Sequence, residues 1–315
     1  MRRALKLPGR AATLVRGVVV LGMAALMLVP ATLAGATQTG ATPDAGASQA
    51  RAGTTSHTLF GSTVSDLADL RQKTAEFGHM PIIHYYFVGL PPSNAWSGLG
   101  IANHSAVVVS FDAQPSAILS GAADSAIAHF FDTAPRSFPI YYCYFHEPEN
   151  NIQKGQFTAA AYRAAWERVA RLARAAHNAD LHSDLILMGW DVNPYSHRNW
   201  RNYFPTGGII STVSWDVFPD GGYTVEPPAE WMGPEVKVSK AAGLHFGFAE
   251  FNTTTIPGRP AWLLSIGTYC RSVGAVFCTL FDSIQVGGLA AHGGSYVIRD
   301  KASISAWRHV VQNGG

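Results

Sequence analysis

Cysteine is scarce. The chain has only Cys143, Cys270 and Cys278, with none before Cys143. So few cannot staple a disulfide scaffold, and no C-x2-C pair marks a zinc site. The absence of an early cysteine also argues against a lipid-anchored N-terminus. An odd count leaves at least one thiol unpaired within the chain, while Cys270 and Cys278 are placed to bridge a helix to the following strand. Charge is sparse as well, at 14% of residues and a formal net charge of +2. Five cations fall in the first sixteen residues, so the rest is close to neutral or slightly acidic, and no nucleic-acid surface is expected. No G-x-G-x-x-G follows the first apolar run, no H-x-H or H-E-x-x-H pair occurs, and no solenoid repeat is visible. No cofactor or metal is expected.

What is present begins with an export pattern. Arg2, Arg3, Lys6, Arg10 and Arg16 precede the apolar run GVVVLGMAALMLVPATLAGA, which ends in small residues. Basic, then apolar, then small is the order of a secretory signal peptide, expected over residues 1–36. The run is also long enough to approach a membrane span, so an uncleaved anchor is the alternative. Residues 37–56 are rich in Ala, Gly, Thr and Ser and lack aromatics. Such a segment buries too little surface to offset its ordering entropy and reads as a flexible tether. The domain is expected over residues 57–315, close to the roughly 250 residues typical of an eight-stranded barrel.

Eight short apolar runs divide that domain: TLFGSTV, PIIHYYF, AVVVSF, FPIYYCYF, LILMGW, IISTVSW, LHFGFAEF and AVFCTLF. Continuous apolar runs suit parallel strands buried on both faces. Between them lie helical patterns, strongest from Thr158 to His177. There Tyr162, Trp166, Val169, Leu172 and Ala173 share a face and Thr158 can cap. Further helices are expected over 66–77, 120–132, 260–272 and 301–311. The second and sixth intervals are rich in Pro and Gly and read as loops. Eight strand–helix units predict a (β/α)8 barrel, with an open doubly wound sheet as the alternative.

In such a barrel, chemistry sits at the C-terminal ends of the strands. Those ends carry Asp112, His146 and Glu147, Trp190 and Asp191, Trp215 and Asp216, Glu250 and Asn252, and Asp282. Glu147 and Glu250 follow the fourth and seventh runs, which face each other across an eight-stranded barrel. Two opposed carboxylates are what glycosidic cleavage needs, and a retaining reaction requires them roughly 5–5.5 Å apart. Glu149 is read as a solvated neighbour. His84, Trp96, Trp190 and Trp215 are candidate sugar contacts, each with a core role as its alternative. Asp191 and Asp216 either bind sugar hydroxyls or cap a following helix. His146 either orients Glu250 by a hydrogen bond or is a satisfied buried histidine.

The segment YYCYFHEPEN, with His146 before Glu147, resembles the acid/base motif of glycoside hydrolase family 26. GFAEFN, holding Glu250, resembles that family's nucleophile strand. WRNYFP and SWDVF resemble the segments leading into and ending its sixth strand. The resemblance covers roughly Phe138 to Asp282 and is distant. It implies a retaining barrel with Glu147 as acid/base and Glu250 as nucleophile, acting on β-mannan before β-xylan or β-glucan; a monomer, exported as the N-terminal pattern indicates, is expected. The chain departs from the family at Tyr142–Tyr144, where an Arg is usual, and at Phe218, where a Tyr commonly bonds the nucleophile. Two other readings are a metal-dependent barrel using His146, Glu147, Asp216 and Glu250, and a carbohydrate-binding barrel without turnover.

Overall fold

The computed structural model describes residues 57–98, 106–283 and 295–314. The expected signal peptide and tether lie outside them. Eight parallel strands close on themselves in sequence order. They are β1 (Leu59–Val64), β2 (Ile82–Phe87), β3 (Ala106–Phe111), β4 (Ile140–Tyr144), β5 (Leu181–Met188), β6 (Thr212–Asp216), β7 (His245–Phe251) and β8 (Phe277–Leu280). Closure is made by β1 against β8, with Leu59 opposite Phe277 and Ser62 opposite Leu280. The (β/α)8 barrel is therefore present, and the open sheet is not.

Among the described residues ten helices surround it: α1 (Leu67–Phe77), α2 (Ala95–Gly98), α3 (Pro115–Leu119), α4 (Asp124–Asp132), α5 (Glu149–Gln153), α6 (Ala159–Ala175), α7 (Pro228–Trp231), α8 (Gly233–Ala241), α9 (Arg259–Val273) and α10 (Lys301–Asn313). Their starts follow from local chemistry. Asp66 accepts from the amides of Ala68 and Asp69, Thr158 from Ala161 and Asp300 from Ser303, each satisfying an otherwise orphaned N–H. The sixth interval, expected as a loop, contains the nine-residue α8. Pro234 sits in its first turn, where a missing N–H costs nothing.

Side chains alternate between barrel interior and helix layer, as strand geometry requires. On β4, Tyr141 points inward and meets Phe277 of β8 across the barrel, ring centroids 5.1 Å apart. Its neighbour Tyr142 points outward onto Phe131 of α4 and Trp166 of α6. The upper interior is polar: His84, Ser110, Asp184, Ser214 and Thr279 are buried and bonded to one another or to strand carbonyls. A buried polar group must find such partners. The outer shell is apolar, with Trp166, Trp215 and Trp307 fully buried. All three cysteines are buried free thiols, so the Cys270–Cys278 pairing that the sequence leaves open is not formed. The two thiols are nevertheless in hydrogen-bond contact, and each side chain sits in a packed core.

Candidate active site

β4 ends at Tyr144, and the chain then takes two left-handed residues, Phe145 at φ 53° and Glu147 at φ 51°. Side chains other than glycine adopt this region reluctantly, at about 1–3 kcal/mol each, and the surroundings must enforce it. Here Phe145 N–H donates to Phe111 O at 2.6 Å, Glu147 N–H donates to Ile186 O at 3.3 Å, and the Phe145 ring packs on Phe157. The turn lifts Glu147 to the C-terminal mouth of the barrel. Glu250 lies in β7, one residue before its end. The β6–β7 pairing shifts register between Trp215 and Asp216, so that Asp216 faces Glu250. Such an irregularity re-aims a side chain beside a site.

Glu147 and Glu250 both line two cavities. The smaller, about 200 Å³, lies toward β1, β2 and β8 and is walled by His84, Tyr86, His146 and Phe281. The larger, about 870 Å³, lies toward β5 and β6 and is walled by Trp190, Phe218, Trp231 and Tyr296. The two glutamates thus stand at the seam of one continuous groove.

His146 Nε2 bonds Asp216 Oδ2, so its partner is Asp216 rather than Glu250. Its ring stacks on His84 with centroids 5.4 Å apart. His84 Nδ1–H donates to Ala249 O at 3.2 Å, and its Nε2 accepts from the Ser110 hydroxyl at 3.0 Å. That tautomer satisfies both partners. Burial, reinforced by the neighbouring His146, pushes the His84 pKa down to about 3, which keeps the ring neutral.

Carboxyls crowd this mouth. Asp216 is 4% exposed. Its pKa is raised first by burial, then by the charge of Glu147 and a hydrogen bond with it, and then by Asp184. Asp184, beneath it in β5, is pushed up to about 8 by burial, although the Ser214 hydroxyl donates to it at 2.7 Å. Glu250 is likewise raised by burial and by Asp216 and Glu147, against the pull of His146. Among the described residues no hydrogen-bond donor reaches the Glu250 carboxylate. Phe218, just after β6, offers no hydroxyl and packs on Tyr296 and Phe281. His146, Glu147 and Asp216 offer ligand atoms within 4.8 Å of one another, a nitrogen and two oxygens that suit a divalent ion.

The other expected contacts divide. Trp190, 48% exposed, stands on the wall of the larger cavity, and His84 walls the smaller. Trp215 does not reach the groove. Period-two alternation sends it outward from β6, where it is fully buried and donates to Ser239 Oγ at 2.9 Å. Trp96 is also elsewhere, stacked on Phe130 with its indole N–H on Phe130 O. Asp191 is turned away from the cavities and neither lines them nor caps a helix. It pairs with Arg198 at 3.4 Å and lies close enough to Glu149 for the two acids to influence each other's charge. Glu149 is not solvated but fully buried, accepting from Met188 N–H at 2.8 Å. Sequence reading missed Asp184, Glu235 and Tyr86. The first two stand out afterwards as acids inside otherwise apolar-faced elements.

No family model matches the chain, and no curated protein matches it. Solved structures do. The modular endo-β-1,4-mannanase of Cellulomonas fimi, of glycoside hydrolase family 26, aligns at TM-score 0.56 and 11% identity, over 81% of this chain and 70% of that one. The family 26 domain of an endo-β-mannanase/endo-β-glucanase from Prevotella bryantii aligns at 0.57 and 11%, over 82% and 89%. The family 26 β-mannanase of Bacteroides ovatus aligns at 0.55 and 9%, over 82% and 89%. The chain is a (β/α)8 barrel whose fold is, at a distance, that of glycoside hydrolase family 26.

Proposed function

We propose that the protein is a retaining glycoside hydrolase of β-linked polysaccharides. The observation that carries this reading is the placement of Glu147 and Glu250 at the seam of a groove, on opposite strands of a family-26-like barrel. In the first step a Glu250 oxygen attacks the anomeric carbon, the glycosidic bond breaks, and Glu147 gives its proton to the leaving oxygen. In the second, Glu147 takes a proton from water, the water oxygen attacks the same carbon, and Glu250 departs. The reaction needs Glu147 protonated and Glu250 ionised. Burial, Asp216 and Glu147 favour a proton on Glu250 against the pull of His146, so the reacting state is the one in which that proton has passed to Glu147 within the acid cluster. Trp190 offers a ring face for a sugar. β-Mannan is the first polymer to test, with β-xylan and β-glucan next. The basic, apolar and small-residue order of residues 1–36 supports export, and we take the working form to be a monomer.

Incubation with the three polymers, followed by reducing-end release and NMR of the first-formed anomer, tests the proposal. Release with retained configuration is expected. No release from any polymer removes the hydrolase reading, and an inverted anomer removes the retaining mechanism alone. The cluster of His146, Glu147 and Asp216 supports a second reading, metal-assisted hydrolysis. Full activity in EDTA would dismiss it.

A further inference from the structure

The larger cavity has a one-sided charge. Beyond Glu147, Asp216 and Glu250 it is walled by Asp220, Glu226, Glu230 and Glu235. No Lys, Arg or His lines it among the described residues, although the chain has 23 Lys and Arg against 21 Asp and Glu. A groove walled by one sign of charge focuses its field and selects what enters.

A second observation points to a ligand. Glu235 of α8 is 4% exposed and lines the cavity, and its Oε2 has no hydrogen-bond donor. Its other oxygen is pressed toward the turn after β5: a Cβ on Gly189 would lie 2.9 Å from Glu235 Oε1. A buried carboxyl oxygen without a donor is costly unless a ligand supplies one. The four acids do not converge on one point. The described His, Cys, Asp and Glu side chains that draw together closely enough for an ion are His146, Glu147 and Asp216. Charge spread along a wall fits a polymer with charge repeated along it better than a single ion. Trp190 and Trp231 add ring faces, which attract both sugar faces and ammonium groups.

We propose that this cavity binds amine-bearing sugar units, so that a polysaccharide with protonated amines binds more tightly than a neutral chain of equal length, and a uronate chain is rejected. The inference rests on the hydrolase reading and names a substrate class for the same groove. An ammonium beside Glu235 displaces to solvent the proton that burial keeps on this carboxyl and gives Oε2 its missing donor, and the more exposed Asp220 and Glu230 provide long-range attraction.

Calorimetry on the full chain carrying Glu250→Gln tests it with three β-1,4-linked hexamers: glucosamine, mannose and mannuronate, at pH 6 and low salt. A few half-exposed carboxylates give an expected advantage of about tenfold for glucosamine over mannose. Most of that advantage should vanish in 0.5 M salt, where screening is strong, and mannuronate should not bind. Adding Glu226→Gln and Glu230→Gln should reduce the ratio of glucosamine to mannose affinity toward one. Equal affinity for glucosamine and mannose overturns the inference, as does a preference that survives both salt and the double exchange. If mannose hexamer is bound, and the native enzyme cleaves it, while glucosamine gains nothing, this inference falls alone. If no hexamer binds, the hydrolase reading falls with it.

Discussion

Glu149 and Asp191 are buried neighbours, each with one carboxyl oxygen, Glu149 Oε2 and Asp191 Oδ2, that meets no donor among the described residues. Burial raises both groups. Asp191 reaches about 6, while Glu149 is raised further by Asp191 and Glu147. The pair therefore shares a proton between its two free oxygens, and Arg198 offsets the charge that is left on Asp191. Arg198 also donates to Asn150 and Gln153, which fastens α5 to the turn after β5. Glu149→Ala strands a buried carboxylate and is expected to cost about 1–3 kcal/mol in denaturant unfolding. Because Glu149 lies two residues past Glu147, activity should fall as well. Glu149→Gln keeps a donor and should stay within about 1 kcal/mol of the native protein. Equal losses in both variants would remove the hydrogen bond from the account.

Stability should fall as pH rises. Asp184 and Glu235 each titrate near 8 in the folded protein because burial disfavours their charged forms. In the unfolded chain they titrate near the usual carboxylate value, about 4. The folded state therefore holds protons that the unfolded state has released. That contribution is complete below about 4 and is lost as pH climbs through about 8. The melting temperature is expected to decline between pH 5 and pH 9, and Asp184→Asn should flatten the decline. A melting temperature that rises over this range would contradict the assignment.

Two tryptophans should behave as opposites. Trp215→Ala empties a packed site and is expected to cost about 3–5 kcal/mol of stability. Trp190→Ala, at a half-exposed position, should change stability by no more than about 0.5 kcal/mol. It should weaken binding of a neutral hexasaccharide by about three- to tenfold, the size of a lost stacking contact. Unfolding curves and calorimetry on both variants decide the matter. A binding loss confined to folded Trp215→Ala would reverse the roles.

Glu147 and Glu250 should respond differently to removal. Glu250→Ala is expected to abolish turnover on every substrate. Glu147→Ala should retain more activity on substrates with good leaving groups, which need no proton. Added azide should then raise the Glu147→Ala rate and yield a glycosyl azide of retained configuration, because azide replaces the water that required a base. Azide without effect on that variant would remove Glu147 from the acid/base role.

Eight apolar runs sufficed to read the barrel, because parallel strands covered on both sides carry little polar residue to interrupt them. The same property hides which side chain points where. With both faces buried, the run IISTVSW does not show that Ser214 faces the barrel interior and Trp215 the helices, so the sequence leaves Trp215 open between a sugar contact and a core role. Glu149 read as solvated because the chain alone cannot show Met188 N–H and Asp191 waiting for it. α8 was hidden by the Pro and Gly around it, and Glu235 with it. The acid Asp184, within LHSDLILM, was the one visible signal left unused.

The pairing of β1 with β8 sets an order of events. A chain made from its N-terminus presents Leu59–Val64 long before Phe277–Leu280 exists, so one flank of β1 has no strand to bond until the last part of the domain arrives. α10 follows later still, and its Trp307 donates to Gly61 O from outside. Until then the growing sheet has two open margins, each able to recruit a strand from another molecule. Loss of the final strand and helix therefore does not shorten the protein gracefully: it leaves an unclosed sheet whose natural outcome is self-association.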